Sequence, residues 1–329
     1  MKLEDIGERA AIRAIVEKLG DASAHYTGDD CAAIPCGDSY ILVTTDMITR
    51  KTHIAPEMTP RQVGWFSVAI SLSDIAAKGG RPMGVVLAFG APRDTELRYI
   101  EDMAAGAADC AASYGTAIIG GDMKENPELT VCGTAIGIVK KEHFMPRAGA
   151  SEDNLLCVTG ELGKAGAGHY AVSSGLKFLR ELSKALFEPA PRVKEGMALA
   201  ESGAVTSCMD LSDGLANSLH QLVEPNANGK VGFEVEERLV PVSKEAVIVE
   251  DRGKKTGLDY ALYSGGDYEL LFTVKKERLE KARGALKSCG CELTVIGKVT
   301  GDGAVSLLRD GKRTAMPNEG YEHFRSGAA

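Results

Sequence analysis

Residues 59–89 read TPRQVGWFSVAISLSDIAAKGGRPMGVVLAF, and this stretch decides the fold class. Thr59 is a residue type that caps helices, and Pro60 brings the fixed φ that suits the first helical position. An apolar run rich in small residues continues to about Lys78, where Gly79-Gly80 ends it. Residues 83–89 then read as a buried strand. A capped helix turning through two glycines into a strand is the unit of a mixed α/β chain.

The pattern extends in both directions. Residues 6–19 carry apolar side chains at helical spacing, and residues 40–45 (YILVTT) form a short β-rich run ending in Asp46. Downstream, a helix starts at Asp94-Thr95 and ends near Tyr114-Gly115, followed by strands over 116–119 and 129–139. Residues 145–154 (MPRAGASEDN) are polar and rich in small residues, which marks a linker. Strand signals return at 155–159, 205–209, 268–274, 295–299 and 305–308, with helices from Asp213 and over 276–287. The expected architecture is α+β in two domains, residues 1–147 and 148–329.

Composition narrows the function. Glycine supplies 38 of the 329 residues, about 12% against a usual 7% or so. These glycines follow no fixed period, so they mark special turns rather than a repeat. A formal charge of −8 argues against a nucleic-acid or membrane-surface binder, which needs a basic face. No apolar run approaches the ~18 residues of a membrane span. The opening MKLED has no apolar stretch behind it, so no signal peptide is expected and the chain is expected in the cytoplasm. Eight cysteines include no Cys-x-x-Cys pair, and Cys289-Gly290-Cys291 is read as thiols rather than a metal pair.

Acidic residues recur beside glycine or hydroxyl residues where apolar segments end. These are Gly28-Asp29-Asp30, Thr44-Thr45-Asp46, Ser71-Leu72-Ser73-Asp74, Gly120-Gly121-Asp122 and Asp210-Leu211-Ser212-Asp213-Gly214. Singly, each is ordinary turn or cap chemistry. Jointly they are what a hard-cation site needs: oxygen ligands held on rigid elements and gathered at one face. Mg²⁺ is commonly shared between a few carboxylates and substrate phosphates, and the neighbouring glycines suit close approach of phosphate. Residues 160–168, with glycines at 160, 163, 166 and 168, are a further candidate phosphate loop, although not a Walker A loop. No Gly-x-Ser-x-Gly elbow or His-Glu-x-x-His motif offers a nucleophile or a zinc site. His53, seven residues after Asp46, is a candidate for the same site.

These motifs, with Val-Thr-Gly-Glu-Leu-Gly (158–163), Asp-Leu-Ser-Asp-Gly-Leu (210–215), Ser-Gly-Gly-Asp-Tyr-Glu-Leu (264–270) and Gly-Tyr-Glu-His-Phe (320–324), occur in order along nearly the whole chain. The set resembles the thiamine-monophosphate kinase family, within the superfamily that includes aminoimidazole ribonucleotide synthetase. The resemblance implies a homodimer whose N-terminal domains join their sheets into a shared β-barrel, with a C-terminal α/β domain completing each site. It implies ATP and Mg²⁺ as cofactors and direct phosphoryl transfer to thiamine monophosphate, giving thiamine diphosphate and ADP. Carried over by position, Asp30, Asp46, Asp74, Asp122 and Asp210 hold magnesium, Thr44 and Thr45 assist, and Asp213 binds a further ion. Gly121, Asp122, Arg147 and Ser212 contact ATP, while His53 and Tyr321 touch the thiamine phosphate. Relatives often read Gly-Gly-Glu-Asp-Tyr, whereas here Gly266 runs directly into Asp267, which stands in for the missing acid at the substrate. Two alternatives stay open at this point: another ATP-dependent synthetase of the superfamily, and a non-catalytic nucleotide binder.

Overall fold

The computed structural model describes residues 2–19, 26–176, 180–226, 230–250, 255–320 and 323–324. The first unit comprises α1 (Leu3–Leu19), β1 (Ala32–Cys36), β2 (Ser39–Thr49), α2 (Pro60–Ala77), β3 (Arg81–Ala91), α3 (Leu97–Ser113), β4 (Ile118–Glu125) and β5 (Thr130–Lys140). Its five strands lie in the order β1-β2-β5-β3-β4, antiparallel except for the parallel β3–β4 pair. Helix α2 has the expected capping box: Thr59 accepts from the Gln62 N–H, and the Gln62 side chain returns to the Thr59 backbone. It is buried on nearly all sides, because the sheet, α3 and the second unit surround it. Gly64 on α2 and Gly106 on α3 let the two helices meet backbone to backbone. A Cβ at either position would strike a carbonyl of the other helix.

The second unit contains β6 (Leu155–Thr159), α4 (Lys164–Ser173), α5 (Arg180–Phe187), α6 (Val193–Ser202), β7 (Val205–Asp210), α7 (Leu215–Val223), β8 (Gly232–Glu236), α8 (Lys244–Glu250), α9 (Gly257–Tyr263), β9 (Leu270–Val274), α10 (Leu279–Ser288), β10 (Leu293–Thr300), β11 (Val305–Arg309) and β12 (Lys312–Ala315). Its seven strands run β12-β11-β8-β10-β6-β9-β7. Only β11–β8 is parallel. The whole is a mixed α/β two-unit fold with two mixed sheets.

Helix α2 is the joint between the units. Trp65 Nε1 donates to the Pro189 carbonyl at 2.9 Å, and Gln62 Nε2 donates to Glu188 at 3.0 Å. Phe187 and Val193 enter the first unit's core. Gly196 on α6 lies against the Ala76 carbonyl of α2, where an added Cβ has no room. Backbone does not yield easily, so Gly196→Ala should cost about 1–3 kcal/mol. Urea midpoints at unchanged m-value would register it.

Several elements depart from the sequence reading. Strand β2 runs to Thr49, so Asp46 lies inside the strand rather than after it. Strand β4 runs to Glu125, so Gly120-Gly121-Asp122 sits within an edge strand, not in a loop at a strand end. Strands β1, β8 and β12 are short and irregular in pattern, and the sequence did not announce them. Helix α1 forms as expected, yet Ile12, Ile15 and Leu19 are exposed. Its spacing is helical, but among the described residues nothing covers that face.

Candidate active site

Four carboxylates meet where α2 faces β2 and β7. Asp74, near the end of α2, accepts from Thr44 Oγ1 of β2 at 2.5 Å. Asp46 on β2 accepts from Ser71 Oγ of α2 at 2.8 Å. Ser73 Oγ donates across the unit boundary to Asp210, the last residue of β7, at 2.6 Å. The hydroxyls of the Ser-Leu-Ser-Asp motif thus aim the aspartates, with alternate residues serving different partners. Oxygens of Asp30, Asp74 and Asp210 all lie within 4.8 Å of one another.

The charge balance is uneven. On one side, Arg147 and Lys78 grip the loop before β1. The Arg147 guanidinium pairs with Asp30 through Nη2 and through Nε at 2.8 Å, and its backbone N–H donates to Asp29 at 2.8 Å. Burial disfavours the Asp30 charge, but Arg147 and Lys78 outweigh it and hold the carboxyl below its usual range. On the other side the compensation is weaker: Arg147 lowers Asp210 in part, and burial and the neighbouring carboxylates outweigh it. Burial, then Asp46, Asp210 and Asp30, push Asp74 well up. Burial and Asp30 raise Asp210 to about 7, and burial raises Asp46.

This arrangement fits a divalent cation. Asp30 Oδ2 is buried with the Lys78 ammonium 2.8 Å away, out of line for a hydrogen bond, and it shares its surroundings with oxygens of Asp74 and Asp210. Carboxylates that repel one another and hold on to protons are the donor set a hard cation would neutralise.

The remaining expected residues divide. His53 lies beside His323, with ring centroids 5.1 Å apart, and Thr52 Oγ1 is 2.7 Å from its Nδ1. Burial, helped by His323, lowers His53 to about 4, so it is neutral at pH 7. Asp213 is aimed by Gln221 at 3.3 Å and approached by Arg9 at 3.8 Å. Ser212 holds the adjoining loop, its carbonyl accepting from the Gly266 N–H at 2.8 Å. Thr45 points away from the carboxylates: its hydroxyl bonds the Gly133 carbonyl at 3.1 Å and Thr134 at 3.0 Å. The strand alternation that brings Thr44 and Asp46 to one face sends Thr45 to the other. Asp122 is exposed and outside the cluster, bound by Lys124, which lowers its pKa. It lines, with Gly120 and Gly121, a groove of about 550 Å³ walled by Leu87, Phe89 and Ala104. Tyr321 lies outside the described residues.

Asp267 does not face outward as a stand-in acid. It accepts from the Gly163 and Ala165 N–H groups at 2.6 and 3.0 Å, at the start of α4. Gly163, with φ of 87°, makes that turn. The chain's own carboxylate therefore takes the helix amides that a phosphate loop over 160–168 would have offered. Burial raises Asp267 to about 7 against those amide bonds.

Sequence reasoning passed over Asp29, Lys78, Tyr268 and the Arg192–Glu269 pair. Tyr268 crosses from the second unit to pack edge-on against Phe66 of α2, centroids 6.3 Å apart, with a left-handed φ of 51°. Its place within a quoted motif was the only available signal.

These shifts set a pH dependence. Asp210 and Asp267 are raised to about 7 in the fold, against about 3.9 unfolded. The folded state binds their protons more tightly, so the stability they contribute is complete below pH ~4 and is lost as pH rises through 7. His53, lowered to about 4, opposes this between pH ~4 and 6.5. With EDTA present, the melting temperature should fall from pH 6.5 to 8. Excess Mg²⁺ should reduce that fall, as differential scanning fluorimetry would show.

Comparison with known proteins follows the same lines. The sequence pattern of AIR synthase related proteins matches twice: their N-terminal domain over residues 28–139 and their C-terminal domain over 151–310. A thiamine-monophosphate kinase of Methanospirillum hungatei is 37% identical over 297 residues, spanning 90% of this chain and 92% of its own. That of Pyrococcus horikoshii is 32% identical over 321 residues, 97% of each chain. Among solved structures, "AaThiL complexed with AMPPCP and TMP" superposes with a TM-score of 0.87 at 27% identity, covering 98% of this chain and 99% of that one.

Proposed function

The chain belongs to the thiamine-monophosphate kinase family of AIR synthase related proteins, and on that premise we propose how its own residues carry the reaction. It is a phosphotransferase that uses ATP to convert thiamine monophosphate to thiamine diphosphate, with ADP released. The observation that carries the site assignment is the meeting of Asp30, Asp74 and Asp210 within 4.8 Å. Asp46 hangs from Ser71 beside them.

The acceptor is already a phosphate, whose oxygen is anionic at neutral pH, so the transfer needs no general base. His53 at about 4 is a weak base, suited to holding the substrate rather than taking a proton. Mg²⁺ held by these carboxylates would supply the positive charge that offsets repulsion between the two phosphates. Asp30, Asp46, Asp74 and Asp210 hold the ions, Thr44 fixes Asp74, and Asp213 serves a further one. Gly121, Asp122, Arg147 and Ser212 contact the nucleotide, Gly121 and Asp122 from the groove beside α3. Of the two alternatives, the superfamily synthetase is tested by coupled ADP release from the purified chain. Thiamine monophosphate should stimulate it and thiamine should not; equal rates would contradict the kinase reading.

We divide the units at 147/148 and place the homodimer contact on the first sheet. Strand β4 is its edge, and Met47, Met83, Ile119 and Met123 are exposed on β2, β3 and β4. Joining two such sheets makes the shared barrel. Met123→Asp should convert dimers to monomers in light scattering, and a wild-type monomer would exclude the arrangement.

A further inference from the structure

Lys78 is among the largest fully buried side chains of the described residues, and no step above uses it. It follows the last residue of α2, ahead of Gly79. Its Nζ donates to Asp29 Oδ1 at 2.6 Å and to the Cys208 carbonyl of β7 at 2.8 Å. Asp30 Oδ2 lies 2.8 Å away as an ion pair that lacks the alignment of a hydrogen bond. One ammonium thus ties the loop before β1, the end of α2 and the second unit's sheet.

Burying an ammonium this completely is costly unless anions surround it. Here burial opposes the charge, but Asp29 and Asp30 outweigh it, and the amine stays protonated well above its usual range. Among the described residues, Lys78 and Arg147 are the cations paired with these carboxylates. They differ in exposure. Arg147 has 17% of its side chain exposed and lies at the boundary, whereas Lys78 has none exposed. Arg147 reaches the surface of the boundary, whereas Lys78 lies wholly beneath it.

We propose that Lys78 is a positioning residue that acts as a resident cation of the acidic site, fixing Asp29 and Asp30 so that the site takes one divalent ion fewer than its carboxylates would otherwise draw. The proposal rests on the acidic site being the metal site. It requires that Asp30 Oδ1 faces Arg147 while Oδ2, steered but not capped by Lys78, remains available beside Asp74 and Asp210. A lysine kept only for packing would leave the ion count untouched.

Mn²⁺ alone, titrated into the full chain and counted by electron paramagnetic resonance of the free ion, separates the two roles. Lys78→Met, which keeps the length and removes the charge, should bind one additional Mn²⁺ per chain, while Lys78→Arg should keep the wild-type count. A soluble Lys78→Met protein with wild-type count and affinity overturns the proposal. If that variant does not fold, Asp29→Asn decides, because Lys78 then loses a partner and its charge weighs on the cluster. Mn²⁺ affinity should fall about tenfold, equivalent to ~1.4 kcal/mol; unchanged affinity overturns the proposal. Wild-type protein that binds no Mn²⁺ overturns the acidic-site reading itself and this inference with it.

Discussion

Asp74→Asn and Asp210→Asn should each lower kcat on the order of a thousandfold while leaving the fold intact. A divalent ion in phosphoryl transfer contributes several kcal/mol to the transition state, and each ~1.4 kcal/mol is tenfold in rate. Both side chains would be ligands of that ion, and an amide oxygen carries no charge to hold it. The second half of the expectation sets these sites apart from core positions. Asp74 is crowded by Asp46, Asp210 and Asp30 as well as by burial, so removing its charge relieves repulsion in the absence of metal. Melting temperature in EDTA should therefore hold or rise as turnover collapses. A variant that loses both together would make the aspartate a structural residue.

Arg192→Met should give the opposite pattern, a large loss of stability. Glu269 is buried, and Arg192 clamps it through Nη2 and through Nε at 2.6 Å, with Thr159 donating at 2.6 Å. Removing the guanidinium strands a buried carboxylate, at a cost of about 3–5 kcal/mol. Arg192 keeps 27% of its side chain exposed, so water enters partly and the lower end, about 3 kcal/mol, is expected. Tyr268, next to Glu269 in the chain, holds a left-handed conformation. Arg192→Met/Glu269→Gln should recover much of the loss, since the buried Glu269 charge is then gone and only the Arg192–Glu195 contact at 3.4 Å is still missing. Equal urea midpoints for the single and double variants would contradict this.

How much of this was legible in the sequence follows from the range of each interaction. Thr59, Pro60 and Gly79-Gly80 carry local signals, and α2 ends where they place it. The aspartates were legible because each stands in a short motif with glycine or a hydroxyl residue, and Ser71, Ser73 and Thr44 turn out to orient three of them. Lys78 was not legible: in sequence it is a helix-terminal lysine, which normally faces solvent, and its partners lie 49 and 130 residues away. Arg147 was expected at the nucleotide, yet its contact with Asp30 spans 117 residues. Thr45 and Asp122 lie off the carboxylate cluster for a simpler reason. The strands run past the motifs, and alternation then decides which side chain faces the carboxylates. Asp267 was counted as a substrate acid because the motif is one residue short. Only the fold shows that it closes the turn at Gly163.

The glycine excess has the same mixed origin. Some glycines permit contact between helices, as Gly64, Gly106 and Gly196 do. Others, such as Gly163, make a turn that the site is built around.

The most direct test of the account is anomalous scattering from crystals grown with Mn²⁺, a non-hydrolysable ATP analogue and thiamine monophosphate. Peaks should lie among the carboxylates of Asp30, Asp74 and Asp210, at oxygen distances near 2.1 Å (about the values of hard divalent cations). Ordered nucleotide and substrate with no manganese among those three side chains would contradict it.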